Sequence, residues 1–219
     1  MLQEKIVELK KSVIEMANLV ESMIDNSVQG LLSKDPEKIR LVHESEEKVN
    51  RKEIDIEETC ITLIALHQPE AKNLRTLIMI LKINTDLERM GDLTVNIAQS
   101  ADYLIKRPFI KKLINIPTMA EETRKMVQQT IQAFLSEDVE MARQVCINDD
   151  VVDELKEQTY RLLVTYMIDD PATIKRAIHI NKIASNLERI ADLSTNIAED
   201  SIFISEGRVI KHHQEEYDN

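Results

Sequence analysis

Two segments of the chain carry carboxylates at a spacing that could hold a cation: Leu87-Glu88-Arg89-Met90-Gly91-Asp92-Leu93 and Leu187-Glu188-Arg189-Ile190-Ala191-Asp192-Leu193. In each, a Glu and an Asp stand four residues apart, which on a helix puts two carboxylates one turn apart on the same face. Like charges at that spacing weaken a helix slightly, and nothing about solubility demands the pair twice. Arg89 and Arg189 offer a structural alternative, since i,i+3 contact with Asp92 and Asp192 would relieve the repulsion.

The two segments are copies. Without gaps, Ile78–Ala98 and Ile178–Ala198 share 12 identities in 21 positions, including Lys82/Lys182, Asn96/Asn196 and Ile97/Ile197. Self-similarity over such a span marks a duplicated architecture. Two repeats follow, residues 1–109 and 110–219, with a linker around Arg107 to Pro117.

The elements that would position these acids are long helices. Three Gly, five Pro, 3% aromatic and 31% charged residues leave little material for turns or strands. Ile6, Leu9, Val13, Met16, Val20, Met23, Ser27 and Leu31 alternate at three and four and predict a first helix over residues 2–32. Pro36 opens a second, to about Leu66, with Ile39, Val42, Val49, Ile56, Leu63 and Leu66 on its stripe. A third is expected from Pro69 to about Lys106. The plan repeats as helices over 117–135, 139–167 and 171–205, with Asp170 capping ahead of Pro171. The expected fold is all-α, two tandem three-helix bundles of six long antiparallel helices related by an internal pseudo-twofold duplication.

At 100° per residue the apolar stripe of helix three is Ile83, Leu87, Met90, Leu93, Ile97, Ala101 and Leu104, and that of helix six is Ile183, Leu187, Ile190, Leu193 and Ile197. Glu88, Asp92 and Asn96, like Glu188, Asp192 and Asn196, form ridges pointing away from the core. Helix five carries a further i,i+4 pair, Asp149 and Asp153, and an offset of 103 maps it onto Glu46 and Asn50 of helix two. If helices two and three, and five and six, are antiparallel neighbours, each repeat gathers oxygen ligands from two helices, as iron, manganese, magnesium or calcium sites require.

Other functions find less support. A net charge of −11 opposes nucleic-acid binding, and no Gly-rich loop is present to cradle a phosphate directly. Buried di-iron bundles use Glu-x-x-His, and no Glu here is followed three residues later by His. Cys60 and Cys146 form no metal or disulfide pattern and read as helix packing, and His43, His67 and His179 stand alone. No run approaches a membrane span, so a soluble, cytoplasmic protein is expected. A metal-dependent hydrolase or oxidase using the same carboxylates, and a metal-free helical scaffold, remain as rival readings; with no nucleophile or positioned base, a non-enzyme is the expectation.

The doubled Leu-Glu-Arg-x-x-Asp followed by Asn-Ile-Ala, the stretch Gln68-Pro69-Glu70-Ala71-Lys72-Asn73-Leu74-Arg75, and the closing Ser205-Glu206-Gly207-Arg208-Val209-Ile210-Lys211-His212 together resemble the PhoU family of accessory regulators of phosphate transport. The resemblance spans essentially the whole chain. It implies two three-helix bundles in a cytoplasmic homodimer that represses phosphate uptake and the phosphate-starvation response. The implied partners are the ATPase subunit of the Pst phosphate transporter and a PhoR-type sensor histidine kinase, with membrane contact only through them and no nucleic acid. It also implies metal ions, multinuclear iron in some members, held by Glu/Asp-x-x-x-Asp motifs that map onto Glu88/Asp92, Glu188/Asp192, Asp149/Asp153 and, in part, Glu46/Asn50. Asn50 departs from the acid of that pattern, Leu193 stands where His is common, and Asn186 replaces the acid seen at Asp86, so two unequal sites are expected. Arg89, Arg189, Asn96 and Asn196 are candidate partner contacts beside them.

Overall fold

A computed structural model describes residues 2–110 and 115–206. It contains helices α1 (Leu2–Ser33), α2 (Pro36–His67), α3 (Ala71–Ile105), α4 (Asn115–Ser136), α5 (Val139–Asp169) and α6 (Ile174–Glu206), with one 3₁₀ turn at Pro171–Thr173 before α6. The Gly207–His212 part of the closing motif and the His212-His213 tail lie outside the described residues.

The duplication is visible in the turns. Lys34 and Glu137 both adopt a left-handed backbone with φ 55°. The N–H of Asp35 donates to Gly30 O at 2.9 Å, and that of Asp138 to Ala133 O at 3.0 Å, closing the preceding helix in the same way. Asp35 and Asp138 then cap the next helix, their carboxylates accepting from the N–H of Glu37 and Met141. Two-residue turns of this kind force each helix to fold back on the one before it.

The second break of each repeat differs from the proline-led starts expected. Gln68 is left-handed (φ 42°) and α3 begins at Ala71 rather than Pro69, because the residue before a proline is excluded from helical backbone and the chain needs three residues to turn. Pro171 opens a 3₁₀ turn, which Thr173 closes by donating to Asp170 O, and the α-helix proper starts at Ile174. Helix α4 starts two residues ahead of Pro117, which its first turn accommodates.

The helices form one continuous core rather than two separate seams. In each repeat all three helices pack on one another, while α1 meets α4 and α3 meets α6 across the repeats. Four central helices result, with α2 and α5 on the outside. Val13, Met16, Val20, Met23 and Ile24 of α1, and Ile83, Leu87, Met90 and Ile97 of α3, are fully buried, each contributing roughly 1.5–3 kcal/mol. Leu66, placed on the stripe of α2 by its spacing, is instead 73% exposed at the helix end. Leu193 is half-buried where its counterpart Leu93 is buried.

Candidate metal-binding face

Helix α2 runs alongside α3 and α5 alongside α6, which brings Asp149 and Asp153 near Glu188 and Asp192 in repeat two, whereas in repeat one it is Glu53 rather than Glu46 or Asn50 whose charge reaches Glu88. Buried Asn84 of α3 donates to the Glu53 carbonyl at 2.8 Å and fixes α2 at the level of the acids. Glu53, a residue the spacing argument passed over, thereby joins Glu88 and Asp92: the Glu88 carboxyl is raised above its ordinary value by burial first, then by Asp92 and Glu53. Glu46 and Asn50 continue the α2 side, Glu46 half-buried and Asn50 exposed. His43 Nδ1 lies 3.9 Å from Glu46 Oε2, so this histidine does not stand alone.

In repeat two the acids crowd more closely. Burial, followed by Asp192, Asp153 and Glu188, pushes the Asp149 carboxyl up to about 7. Asp192 is raised by burial, then by Glu188 and Asp153. The Oδ1 of Asp149 is buried with no hydrogen-bond partner. The chemistry of these oxygens is of the kind a hard divalent cation takes. Among the described residues, however, no three such groups converge in a metal-ligating arrangement. The Lys156 ammonium sits 2.6 Å from Glu188 Oε1 and keeps that carboxylate engaged.

Between the two faces lies a groove of about 490 Å³, lined by Arg89, Asp92, Leu93 and Asn96 of α3 and by Arg189, Asp192, Leu193 and Asn196 of α6. The same four positions of each repeat thus face one another across the pseudo-twofold. Arg89 pairs with Asp86 at 3.6 Å rather than with Asp92, because the i−3 acid is half-buried beside it. Asn186 takes the place of that acid in repeat two. Next to the groove, Lys82 of α3 holds both carboxylate oxygens of Asp200 on α6 at 2.8–2.9 Å, tying the repeats together. Burial, opposed by Arg89 and reinforced by Asp200, brings the Asp86 carboxyl to about 6.

The cysteines are inert packing groups: burial pushes Cys60 up to about 12 and Cys146 up to about 11. His179 stacks on Tyr103, away from the acids, with ring centroids 3.9 Å apart.

Such a molecule belongs to the class of duplicated helical-bundle proteins, with paired acidic faces flanking a charged groove. Known proteins narrow the class. The PhoU domain model matches residues 13–101 and again 116–201. A phosphate-specific transport system accessory protein PhoU homolog of Aquifex aeolicus is 42% identical over 209 residues, covering 95% of each chain. The crystal structure of PhoU from Pseudomonas aeruginosa superposes with a TM-score of 0.91 at 32% identity, covering 95% of this chain and all of that one. That of the phosphate transport system regulatory protein PhoU from Streptococcus pneumoniae gives 0.88 at 25% identity, with 97% and 100% covered. The chain belongs to the PhoU family, a family of accessory and regulatory proteins of phosphate transport and not of enzymes. The hydrolase and oxidase readings of the carboxylates fall with that membership.

Proposed function

We propose that this protein is a negative regulator of phosphate uptake and of the phosphate-starvation response. It acts as a metal-binding adaptor between the ATPase subunit of the Pst transporter and a PhoR-type sensor kinase. Family membership over nearly the whole chain is the observation that carries this reading. An adaptor works by binding partner states with different affinity, which needs a shaped, charged surface and no catalytic group. The groove meets that need: Arg89, Arg189, Asn96 and Asn196 line it beside Asp92 and Asp192. Glu46, Asn50, Glu88 and Asp92 of one repeat and Asp149, Asp153, Glu188 and Asp192 of the other are the metal ligands in this reading. Their bound cations would supply positive charge to a surface that is otherwise acidic.

In this reading the protein is a cytoplasmic homodimer that reaches the membrane through the transporter; no helix among the described residues is long and apolar enough to cross a membrane. Co-purification of the tagged protein with the transporter ATPase and with the kinase, in high and in low phosphate, tests the adaptor role. Retention of both partners that changes with phosphate is expected, and failure to retain either would sink it. The metal-free scaffold is the second reading, favoured by the lack of converging ligands among the described residues. Elemental analysis of untagged protein purified without chelator separates the two: less than one equivalent of any transition metal supports the scaffold.

A further inference from the structure

The duplication supplies an internal control for the two ends of the α3–α6 interface. These helices run antiparallel, with Lys82 of α3 against Asp200 of α6 and Tyr103 against His179. At the Lys82 end the charges are answered: Asp200 bridges Lys82, and Glu137 of the α4–α5 turn pairs with Lys72 at 3.5 Å. At the His179 end they are not. Offsets of 100 and 103 put Lys182 in the place of Lys82, Ser100 in that of Asp200 and Lys34 in that of Glu137, and Arg176 stands where repeat one has Thr76. Two of these cations converge on the linker after α3. Lys34 Nζ donates to Arg107 O at 3.0 Å and Arg176 Nη1 to Pro108 O at 2.8 Å, so the α1–α2 turn and the start of α6 grip adjacent carbonyls. Lys34 also lies 4.6 Å from the centroid of the Phe109 ring, and the Arg107 side chain donates to Tyr103 O. Carbonyls and rings hold these groups without cancelling their charge. Among the described residues no carboxylate forms an ion pair with Lys34, Arg107, Arg176 or Lys182. The nearby acids are engaged elsewhere: Asp35 and Asp170 cap the turns that follow them, and Asp102 pairs with Lys106. The charges acting on His179 are those of Lys182 and Arg107, both positive.

We propose that this end of the α3–α6 interface, formed by Lys34, Arg107, Arg176 and Lys182, docks a short acidic segment of a partner protein, with exposed Phe109 taking an apolar side chain beside the carboxylates. This goes beyond the regulator reading and holds whether or not the acid faces carry metal. Size selects the ligand. The patch is a local reversal of sign on a chain of net charge −11, so a nucleic-acid duplex or an anionic bilayer laid over it would also meet the acids of the remaining surface. A segment carrying a few carboxylates stays within it. Because backbone carbonyls already hold Lys34 and Arg176, docking has few side chains left to order. The fold itself does not call for the cations, since the opposite end closes with its charges paired.

Fluorescence anisotropy of the full-length protein with a labelled peptide of alternating Glu and Phe, and with the same peptide carrying Gln for Glu, tests this. The acidic peptide is expected to bind about tenfold more tightly than the neutral one. K34E and K182E are each expected to weaken its binding about fivefold, and K34Q and K182Q, which remove the charge without reversing it, about twofold to threefold. K11E makes the same charge reversal roughly 35 Å away along α1 and is expected to leave the affinity unchanged. Circular dichroism checks that each variant keeps its helices. Equal affinity for the two peptides, or no binding of either, would overturn the proposal. An equal loss in K11E would overturn it too, because net charge rather than the patch would then be responsible. Sedimentation with phosphatidylserine vesicles that K34E and K182E abolish, in the absence of peptide binding, would assign the patch to a membrane instead.

Discussion

Tyr103, near the end of α3, stacks on His179 near the start of α6, with ring planes 16° apart, and the Arg107 guanidinium lies 3.6 Å from the centroid of the same tyrosine ring. The stack joins the two repeats at one end of their shared interface. Burial, then Lys182 and Arg107, hold His179 below its ordinary 6.5. Its Nδ1 is buried without a hydrogen-bond partner.

A histidine kept neutral in the fold destabilises it in acid. The unfolded chain takes up the proton first as pH falls past 6.5, so the His179 contribution is intact above that value and is lost below it. Thermal melts between pH 7.5 and 5 are expected to show a decline in Tm that H179F, which keeps the stacked ring and removes the titration, makes smaller. An equal decline in the variant would refute the assignment.

Asp149 has the opposite sign. Its folded value near 7 lies above the ordinary 3.8, so ionising it costs stability in full above pH 7, and the cost fades as pH falls toward 4. In chelator-treated protein, D149N should be more stable than the wild type by about 1–2 kcal/mol at pH 8, with no difference at pH 4, a figure kept below the full shift because solvent reaches the face. Denaturant unfolding at the two pH values measures it.

Gly91 sits in mid-helix where the second repeat has Ala191. A Cβ there would meet Val49 Cγ1 at 3.4 Å and Met23 Cε at 3.8 Å, ordinary packing distances. G91A should therefore stabilise the protein by about 0.5–1 kcal/mol through helix propensity. A loss of stability would show that α2 and α3 pack too tightly at this level for a methyl group.

The Lys82–Asp200 bridge spans the repeats but is open to solvent on the lysine side, which is 53% exposed. K82M is expected to cost no more than about 1 kcal/mol, and less in 0.5 M salt. A larger, salt-insensitive loss would mean that the pair holds the repeats in register.

Most of the helical plan was legible because it rests on local rules. The Asp35-Pro36 turn and its copy at Asp138 carry their caps in the sequence, and the stripe from Ile83 to Leu104 is buried as its period requires. Where a turn had no local signature, as at Gln68 with its left-handed backbone, the helix start was misplaced by two residues. Glu53 and Lys156 escaped notice for a different reason. Glu53 pairs at i,i+4 only with Glu57, outside the stretch that the offset of 103 maps onto Asp149 and Asp153, Lys156 is no acid, and their relevance appears only once α2 lies against α3 and α5 against α6. Helical spacing lets Arg89 reach Asp86 or Asp92 equally, and the half-buried Asp86 takes it, whereas in repeat two, with Asn186 in that place, the charge of Arg189 acts on Asp192.

Sequence alone settled what repeats: six helices, two copies, and two carboxylates a turn apart in each, all consequences of periodicity and identity along the chain. Tertiary structure decided what those copies share and how they differ. Packing α3 against α6 set Arg89, Asp92 and Asn96 opposite Arg189, Asp192 and Asn196 across one groove. The same packing put an ammonium against Glu188 and a carboxylate beside Glu88. Charge interactions depend on distances between helices, which no spacing within one helix contains.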